Sequence, residues 1–186
     1  MLTIHIEGEI NLRLLNKGDA QQLEDLEPGD LTFSQGELLC SRTPSSINEL
    51  IDNYLDQYGK GIALPFGIWI KDSLAGTVNL KKINKKQGSG ELSYALGSPF
   101  RGKGIVTKAC KVLISYGFEE LNLNRITIIA DPRNTPSCAV AERLGFTKEG
   151  VLREFYKTST GWGDGVLYSI LKRDLSANKS EGTELR

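Results

Sequence analysis

Gly97-Ser98-Pro99-Phe100-Arg101-Gly102-Lys103-Gly104-Ile105-Val106-Thr107 stands between a strand-like run at residues 91–96 and a helix-like run from about Lys103 to Glu120. In the helical run Ile105, Ala109, Val112, Leu113 and Tyr116 share one face, and Lys108, Lys111 and Ser115 take the other. Strand, glycine-containing loop and helix start together form a general device for holding phosphate. Successive backbone N–H groups at Gly102, Lys103, Gly104 and Ile105 converge on one concavity, at the positive end of the helix. Glycine lets the backbone approach an anion without an intervening Cβ. Arg101, Lys103 and the Thr107 hydroxyl offer further donors. An ordinary strand-to-helix turn reads the same way in isolation, so the neighbouring segments decide. A nucleotide-binding P-loop nearly fits, with Gly97, four residues, Gly102 and Lys103, but it requires Ser or Thr where Gly104 stands.

Outward from the loop, Ile10-Asn11-Leu12-Arg13-Leu14 alternates as a half-buried strand, and a short helix follows the turn at residues 16–19 and ends before Pro28-Gly29. Ile47, Leu50, Ile51, Tyr54, Leu55 and Tyr58 mark an amphipathic helix, with Ser45 or Ser46 expected as its cap and Gly59 as its stop. Residues 66–70 and 75–80 read as a hairpin, and residues 81–90 as a polar, lysine-rich connection. Beyond the loop helix come a strand at 125–130, a turn, and a helix at 135–144 with Pro136 in its first turn. Gly145 ends that helix, and strands at 146–157 and 166–171 close the chain. This order predicts one domain, residues 1–175, built on a single mixed α/β sheet, with a polar tail at 176–186.

Composition narrows the function classes. Lys plus Arg equals Asp plus Glu at 23 each, which gives no global attraction to nucleic acid or to an acidic membrane. No run of 18 apolar residues is present, and the N-terminus lacks the basic start and apolar core of a signal peptide. Cys40, Cys110 and Cys138 are widely spaced and odd in number, as expected of reduced thiols in the cytoplasm. His5 is the only histidine, which argues against a Ser-His-Asp triad and a His-rich metal site; no metal is expected.

Three ordered segments carry a family resemblance. Arg101 and Gly104 match the Q/R-x-x-G-x-G/A loop of the GNAT acetyltransferase superfamily, with Val106 in place of the last small residue. Asn134-Thr135-Pro136-Ser137, continuing to Ala141-Glu142-Arg143-Leu144-Gly145-Phe146, is similar to the second half of that site. Leu152-Arg153-Glu154 with Gly161-Trp162-Gly163-Asp164-Gly165-Val166-Leu167-Tyr168 resembles the ribosomal-protein Ala/Ser N-terminal acetyltransferase branch. The resemblance spans nearly the whole chain. It implies a mostly antiparallel sheet with about four flanking helices, in which strands 91–96 and 125–130 splay apart and acetyl-CoA lies in the gap.

The resemblance assigns cofactor contacts to Ala95, Leu96, Gly97, Arg101, Gly102, Lys103, Gly104, Ile105, Val106, Thr107, Asn134 and Ser137. Asn134 also fits an ordinary helix cap. The implied chemistry is aminolysis of a thioester by direct attack in a ternary complex. Backbone N–H groups near Leu96 would hold the oxyanion, and a proton must reach the leaving thiolate. Many members use a tyrosine at the position of Ala141; here Ser137 is the candidate. The usual acid falls at Tyr156, so Glu154, two residues away and on the same face of a regular strand, and Glu91, at the start of the splayed strand, are the candidate bases. Trp162, Asp164, Trp69 and Tyr54 are candidates for shaping the acceptor groove, with core packing as the plain alternative for the aromatics. The expected acceptor is a protein N-terminus. A small amine (polyamine, amino-acid derivative or antibiotic) or a CoA-binding module without turnover are the competing readings, and pairing into a homodimer through a C-terminal strand edge is a further expectation.

Overall fold

The computed structural model describes residues 2–26, 44–158 and 161–175. The expected tail at 176–186, the Cys40 thiol and the side chains of Ser45 and Ser46 lie outside what is described, whereas the first helix ends at Asp25, before Pro28 as expected. Eight strands form one sheet in the order β1-β2-β3-β4-β5-β6-β8-β7. They are β1 (Thr3–Glu7), β2 (Ile10–Leu14), β3 (Leu64–Ile70), β4 (Ser73–Asn84), β5 (Ser89–Leu96), β6 (Arg125–Ala130), β7 (Thr147–Thr158) and β8 (Gly161–Leu171). The helices are α1 (Ala20–Asp25), α2 (Pro44–Gly59), α3 (Ile105–Glu119) and α4 (Thr135–Arg143). Every neighbouring pair is antiparallel except β5–β6.

The period-2 pattern divides the sheet cleanly. Phe66, Ile68, Val78, Leu80, Leu92, Ile126, Ile128 and Ile170 point to one face, where Ala109, Leu113 and Phe118 of α3 cover them. The opposite face holds Trp69, Leu74 and Ala95, packed with Leu23 of α1 and Ile47, Ile51 and Tyr54 of α2. Tyr54 and Trp69 are therefore buried core residues first.

Three expectations change. Residues 81–90 are not a loose connection: β4 runs on to Asn84 and β5 starts at Ser89, because Ile83 is buried and the Lys81 ammonium pairs with Glu91 at 3.4 Å. A bulge between Lys81 and Asn84, with Lys82 at φ +50°, absorbs the mismatch. Thr3–Glu7 adds an edge strand whose five alternating residues are too short a run to stand out in the sequence. The helix expected to start behind a Ser45 or Ser46 cap already includes both residues, since it begins at Pro44, whose fixed φ suits a first turn.

The decisive feature is the central parallel pair. β5 and β6 are in register only at Ser89↔Arg125, Gly90↔Ile126 and Glu91↔Thr127. Beyond that point β5 stays paired with β4 up to Leu96, and β6 stays paired with β8 up to Ala130. Each strand follows its outer partner, and the sheet opens between them. The Gly97 N–H bonds to the Ala75 carbonyl at 2.8 Å. Antiparallel alternation then directs the Ala95 and Ser93 backbone groups to β4, and those of Leu96, Tyr94 and Leu92 into the gap.

Gly76 holds this arrangement together, because a Cβ there would lie 2.2 Å from the Ala95 carbonyl oxygen, a backbone atom that cannot turn aside. Gly76→Ala is expected to force β4 and β5 apart beside the gap and to cost about 1–3 kcal/mol. Urea unfolding should show a lowered midpoint; an unchanged midpoint would mean that the two strands are less tightly apposed than described.

Candidate active site

The opening in the sheet continues into a cleft of about 840 Å³ between the end of β5, the start of α3 and α4. Ala95, Leu96, Arg101, Gly102, Gly104, Ile105, Val106, Thr107, Asn134 and Ser137, all expected from the sequence, line it. Gly102 (φ +74°) and Gly104 (φ +71°) adopt left-handed conformations, and a Cβ on either would enter open space. Gly104 is the N-cap of α3 and makes no side-chain cap bond, so the first amides of the helix stay directed at the cleft. The Thr107 hydroxyl is buried in this lining without a protein partner. A pyrophosphate would satisfy these groups together. Acetyl-CoA therefore fits the residues that are present.

Two expected contacts fall elsewhere. Gly97 is turned to β4 by its bond to Ala75, with its α-carbon face close to Leu26. The Lys103 ammonium folds back onto the Pro99 carbonyl at 2.9 Å, on the outside of the loop. In exchange, the cleft gains cations that the sequence reading had not assigned to it: Lys108, Lys111 and Arg143. Lys108 and Lys111 sit on the polar face of α3, and only the packing of α4 beside it shows that this face borders the cleft. Arg101 Nε also bonds the Leu96 carbonyl at 3.0 Å, which ties the loop to the strand end.

Asn134 caps α4, its Oδ1 accepting from the Ser137 N–H at 3.2 Å, and it borders the cleft as well. Ser137 faces Tyr94, a residue the sequence reading did not single out. The Tyr94 hydroxyl donates to the Ser137 carbonyl at 2.9 Å and lies 3.3 Å from Ser137 Oγ. This contact is a strut from β5 to α4 across the opening. Burial pushes the Tyr94 phenol up from its usual range, so the proton stays on the oxygen. Ala141 is fully buried and offers no proton donor.

The two carboxylate candidates need correction. Glu154 does not share a face with Tyr156 as it would on a regular strand, because β7 bulges between Leu152 and Tyr156, and Glu154 sits at φ +50° and is exposed. Its N–H donates to Asp164 Oδ1 at 2.8 Å, which gives Asp164 a structural task in the hairpin. Glu91 is buried and held by Lys81 at 3.4 Å and Lys82 at 2.9 Å, several residues along β5 from Ala95. Neither lines the cleft. Trp162 is 63% exposed near the tip of the β7–β8 hairpin. Among the described residues no cluster of His, Cys, Asp and Glu suits a metal ion, and no helix is long and apolar enough to cross a membrane.

A splayed parallel pair, an anion-binding helix start and a serine at the strand opening define an acyl-CoA-dependent transferase. The acetyltransferase (GNAT) domain model matches residues 9–147, and the chain belongs to this family. It is an acetyl-CoA-dependent N-acetyltransferase. The chain is 34% identical over 183 residues to the Bacillus subtilis (strain 168) protein named "Putative ribosomal N-acetyltransferase YdaF", covering 96% of this chain and 100% of that one. It is 35% identical over 112 residues to the spermidine N(1)-acetyltransferase of Escherichia coli (strain K12), 60% of each chain. Among solved structures, the ribosomal-protein-S5-alanine acetyltransferase from Vibrio fischeri superposes with a TM-score of 0.81 at 25% identity, over 94% of this chain and 98% of that one.

Gly104→Asp is expected to leave the fold intact, since its Cβ meets open space, at a backbone cost of about 1–2 kcal/mol for a side chain at positive φ. Its carboxylate would occupy the anion seat, and calorimetry should show acetyl-CoA affinity lowered by at least about 100-fold, or ~2.7 kcal/mol. Full affinity in the variant would place the pyrophosphate elsewhere.

Proposed function

We propose that the protein acetylates the N-terminal α-amino group of a protein chain, of the ribosomal-protein type, by direct attack in a ternary complex. The observation that carries this reading is the absence of a carboxylate from the described lining of the cleft. A free α-amino group has a pKa near 7.7–8.0, so about a tenth to a fifth is neutral at pH 7 without a base. A lysine or polyamine nitrogen, with a pKa near 10.4, is neutral only about once in several thousand and needs a base far more. The similarity to YdaF along the entire chain supports the same reading, whereas the similarity to the spermidine enzyme spans 60% of it.

In this account acetyl-CoA supplies a thioester, and the chain does the positioning. The amine nitrogen bonds to the carbonyl carbon, the carbon–sulfur bond breaks, and the amine proton leaves through water. The Leu96 N–H, directed into the gap, faces the carbonyl oxygen as negative charge develops on it. Ser137 Oγ gives its proton to the departing sulfur and takes one back from the water that received the amine proton, while the Tyr94 hydroxyl, bonded to the Ser137 carbonyl, holds the residue in place. Asn134 contacts the cofactor through the amide nitrogen that its cap bond leaves over. Residues 1–175 act as one catalytic domain. The same reading sets the protein in the cytoplasm, where its thiols stay reduced and N-termini emerge. It also includes pairing of two copies along β7, the edge strand nearer the C-terminus, where Val151 is exposed.

With a peptide bearing an N-terminal Ser or Ala, kcat/KM is expected to rise about tenfold per pH unit and to level near pH 8, as the amine itself loses its proton. Glu154→Gln and Glu91→Gln should keep this profile. Ser137→Ala should lower kcat by about 10²–10⁴-fold with little change in acetyl-CoA affinity. A profile that levels near pH 6, or collapses in either glutamine variant, would place a carboxylate base in the reaction. Turnover of spermidine in preference to every peptide would overturn the acceptor.

A further inference from the structure

We propose that Trp69, Thr77 and Asn79 form a seat for the first peptide unit of the acceptor, which makes the site selective for an amide-bearing N-terminus over a polyamine. The inference rests on the N-terminal acetyltransferase reading and assigns its specificity to particular side chains. Among the described residues six buried side-chain polar atoms lack any hydrogen-bond partner. Thr107 Oγ1 belongs to the cofactor cleft, and Tyr156 OH lies in the β7–β8 hairpin. The other four are Trp69 Nε1, Thr77 Oγ1, and both Nδ2 and Oδ1 of Asn79. Each unpaired buried group costs about 1–3 kcal/mol, and Val or Leu at the same positions would remove that cost. Four such atoms together mark a place where hydrogen bonds are supplied by something that binds.

The four share one face of the sheet. Thr77 is directly opposite Ala95, and Asn79 is opposite Ser93. Gly67 lies opposite Thr77 on the other side, and a Cβ on Gly67 would be 2.5 Å from Trp69 Nε1. The indole therefore lies back along β3 over the bare glycine, which brings its N–H alongside Thr77. Asn79 is 1% exposed and Thr77 1%.

This row borders the point where the thioester would emerge. Ala95 lines the cofactor cleft, yet its side chain belongs to the core cluster on the α1–α2 face. A group that threads the gap past Ala95 from the α3 side reaches the face that carries the row. Thr77 is then about 5.5 Å away across the strand pair, and Asn79 about 7–8 Å away on the diagonal. An extended peptide advances about 3.3 Å per residue, so an amine placed at Ala95 lays its first peptide unit over these side chains.

The chemistry fits an amide. A carboxamide offers one acceptor and two donors, which match the N–H and C=O of a peptide unit, and the threonine hydroxyl and indole N–H add neutral partners. A polyamine needs carboxylates. On this face Glu91 is committed to Lys81 and Lys82, Asp19 is committed to Arg13, and the Arg13 guanidinium stacks 3.9 Å from the centre of the Trp69 ring. The carboxylates beside the row are thus already paired and have little to offer an ammonium group.

The test compares kcat/KM for three acceptors: a Ser-initiated peptide, the same peptide with its first amide replaced by an ester, and spermidine. The proteins are the wild type, Asn79→Leu and Thr77→Val, with calorimetry for acetyl-CoA and a thermal melt beside each. The wild type should favour the amide over the ester by about tenfold or more. Asn79→Leu should lower kcat/KM for the amide by a similar factor, erase the ester penalty, keep acetyl-CoA affinity and melt no lower than the wild type. Thr77→Val, nearly isosteric, repeats the comparison should the leucine fail to fold. A lowered melting point with the amide preference intact in either folded variant would assign these groups to the fold, or to an internal water, and overturn the seat. Peptide turnover with no wild-type ester penalty would overturn the seat alone. A preference for spermidine, or no turnover of any peptide, would overturn the acceptor reading and the seat with it.

Discussion

The structure depends on a hydrogen-bond ladder that stops. Three parallel pairs join β5 to β6, ending at Glu91↔Thr127, and each strand then continues with its other neighbour. Unpaired strand edges are costly inside a protein and attract further strands. Here the edge is internal, and the backbone at Tyr94 and Leu96 faces a cleft, where an extended ligand can complete the ladder beside the Leu96 carbonyl that Arg101 already holds. The Tyr94–Ser137 contact spans the mouth and holds α4 at a set distance from β5. The cleft and the placing of Ser137 at its mouth thus follow from one interruption in the sheet.

The two faces are specialised accordingly. The α3 side is apolar under the helix and cationic at the cleft, which Arg101, Lys111, Arg143 and Lys108, the last paired with Glu7 at 2.6 Å, help to line. Anions are drawn there by the helix start and by fixed charge together. The opposite face packs α1 and α2 over Trp69, Leu74 and Ala95, and keeps a row of neutral hydrogen-bonding groups without partners. A fold selected only for stability would fill that row with hydrocarbon.

Much of this was legible in the sequence. The loop glycines at 102 and 104 stood out because a bare backbone can approach an anion there, and the structure adds that both adopt positive φ. Helical periodicity located α2, α3 and α4 to within two residues at either end. The misreadings have separate physical causes. Residues 81–90 looked like a connection because four lysines crowd it, but Lys81 buries its stem and pairs with Glu91. Glu154 looked cleft-facing because period-2 counting cannot register a bulge. Tyr94 carried no signal of its own, since its importance arises only when α4 returns beside β5. The unpartnered row was beyond sequence reasoning altogether, for Thr77 and Asn79 read as ordinary polar positions of a half-buried strand.

The central claim is that the gap between β5 and β6 carries the thioester through the sheet. A crystal structure of the protein with bound CoA tests it most directly. The account predicts the pantetheine arm lying along β5 as an added strand, bonded to the Leu96 and Tyr94 backbone within about 3.2 Å, with the thiol beside Ala95 and near Ser137 Oγ. A pantetheine arm that runs over the outside of α3 or α4, with the thiol far from Ala95, would contradict the account.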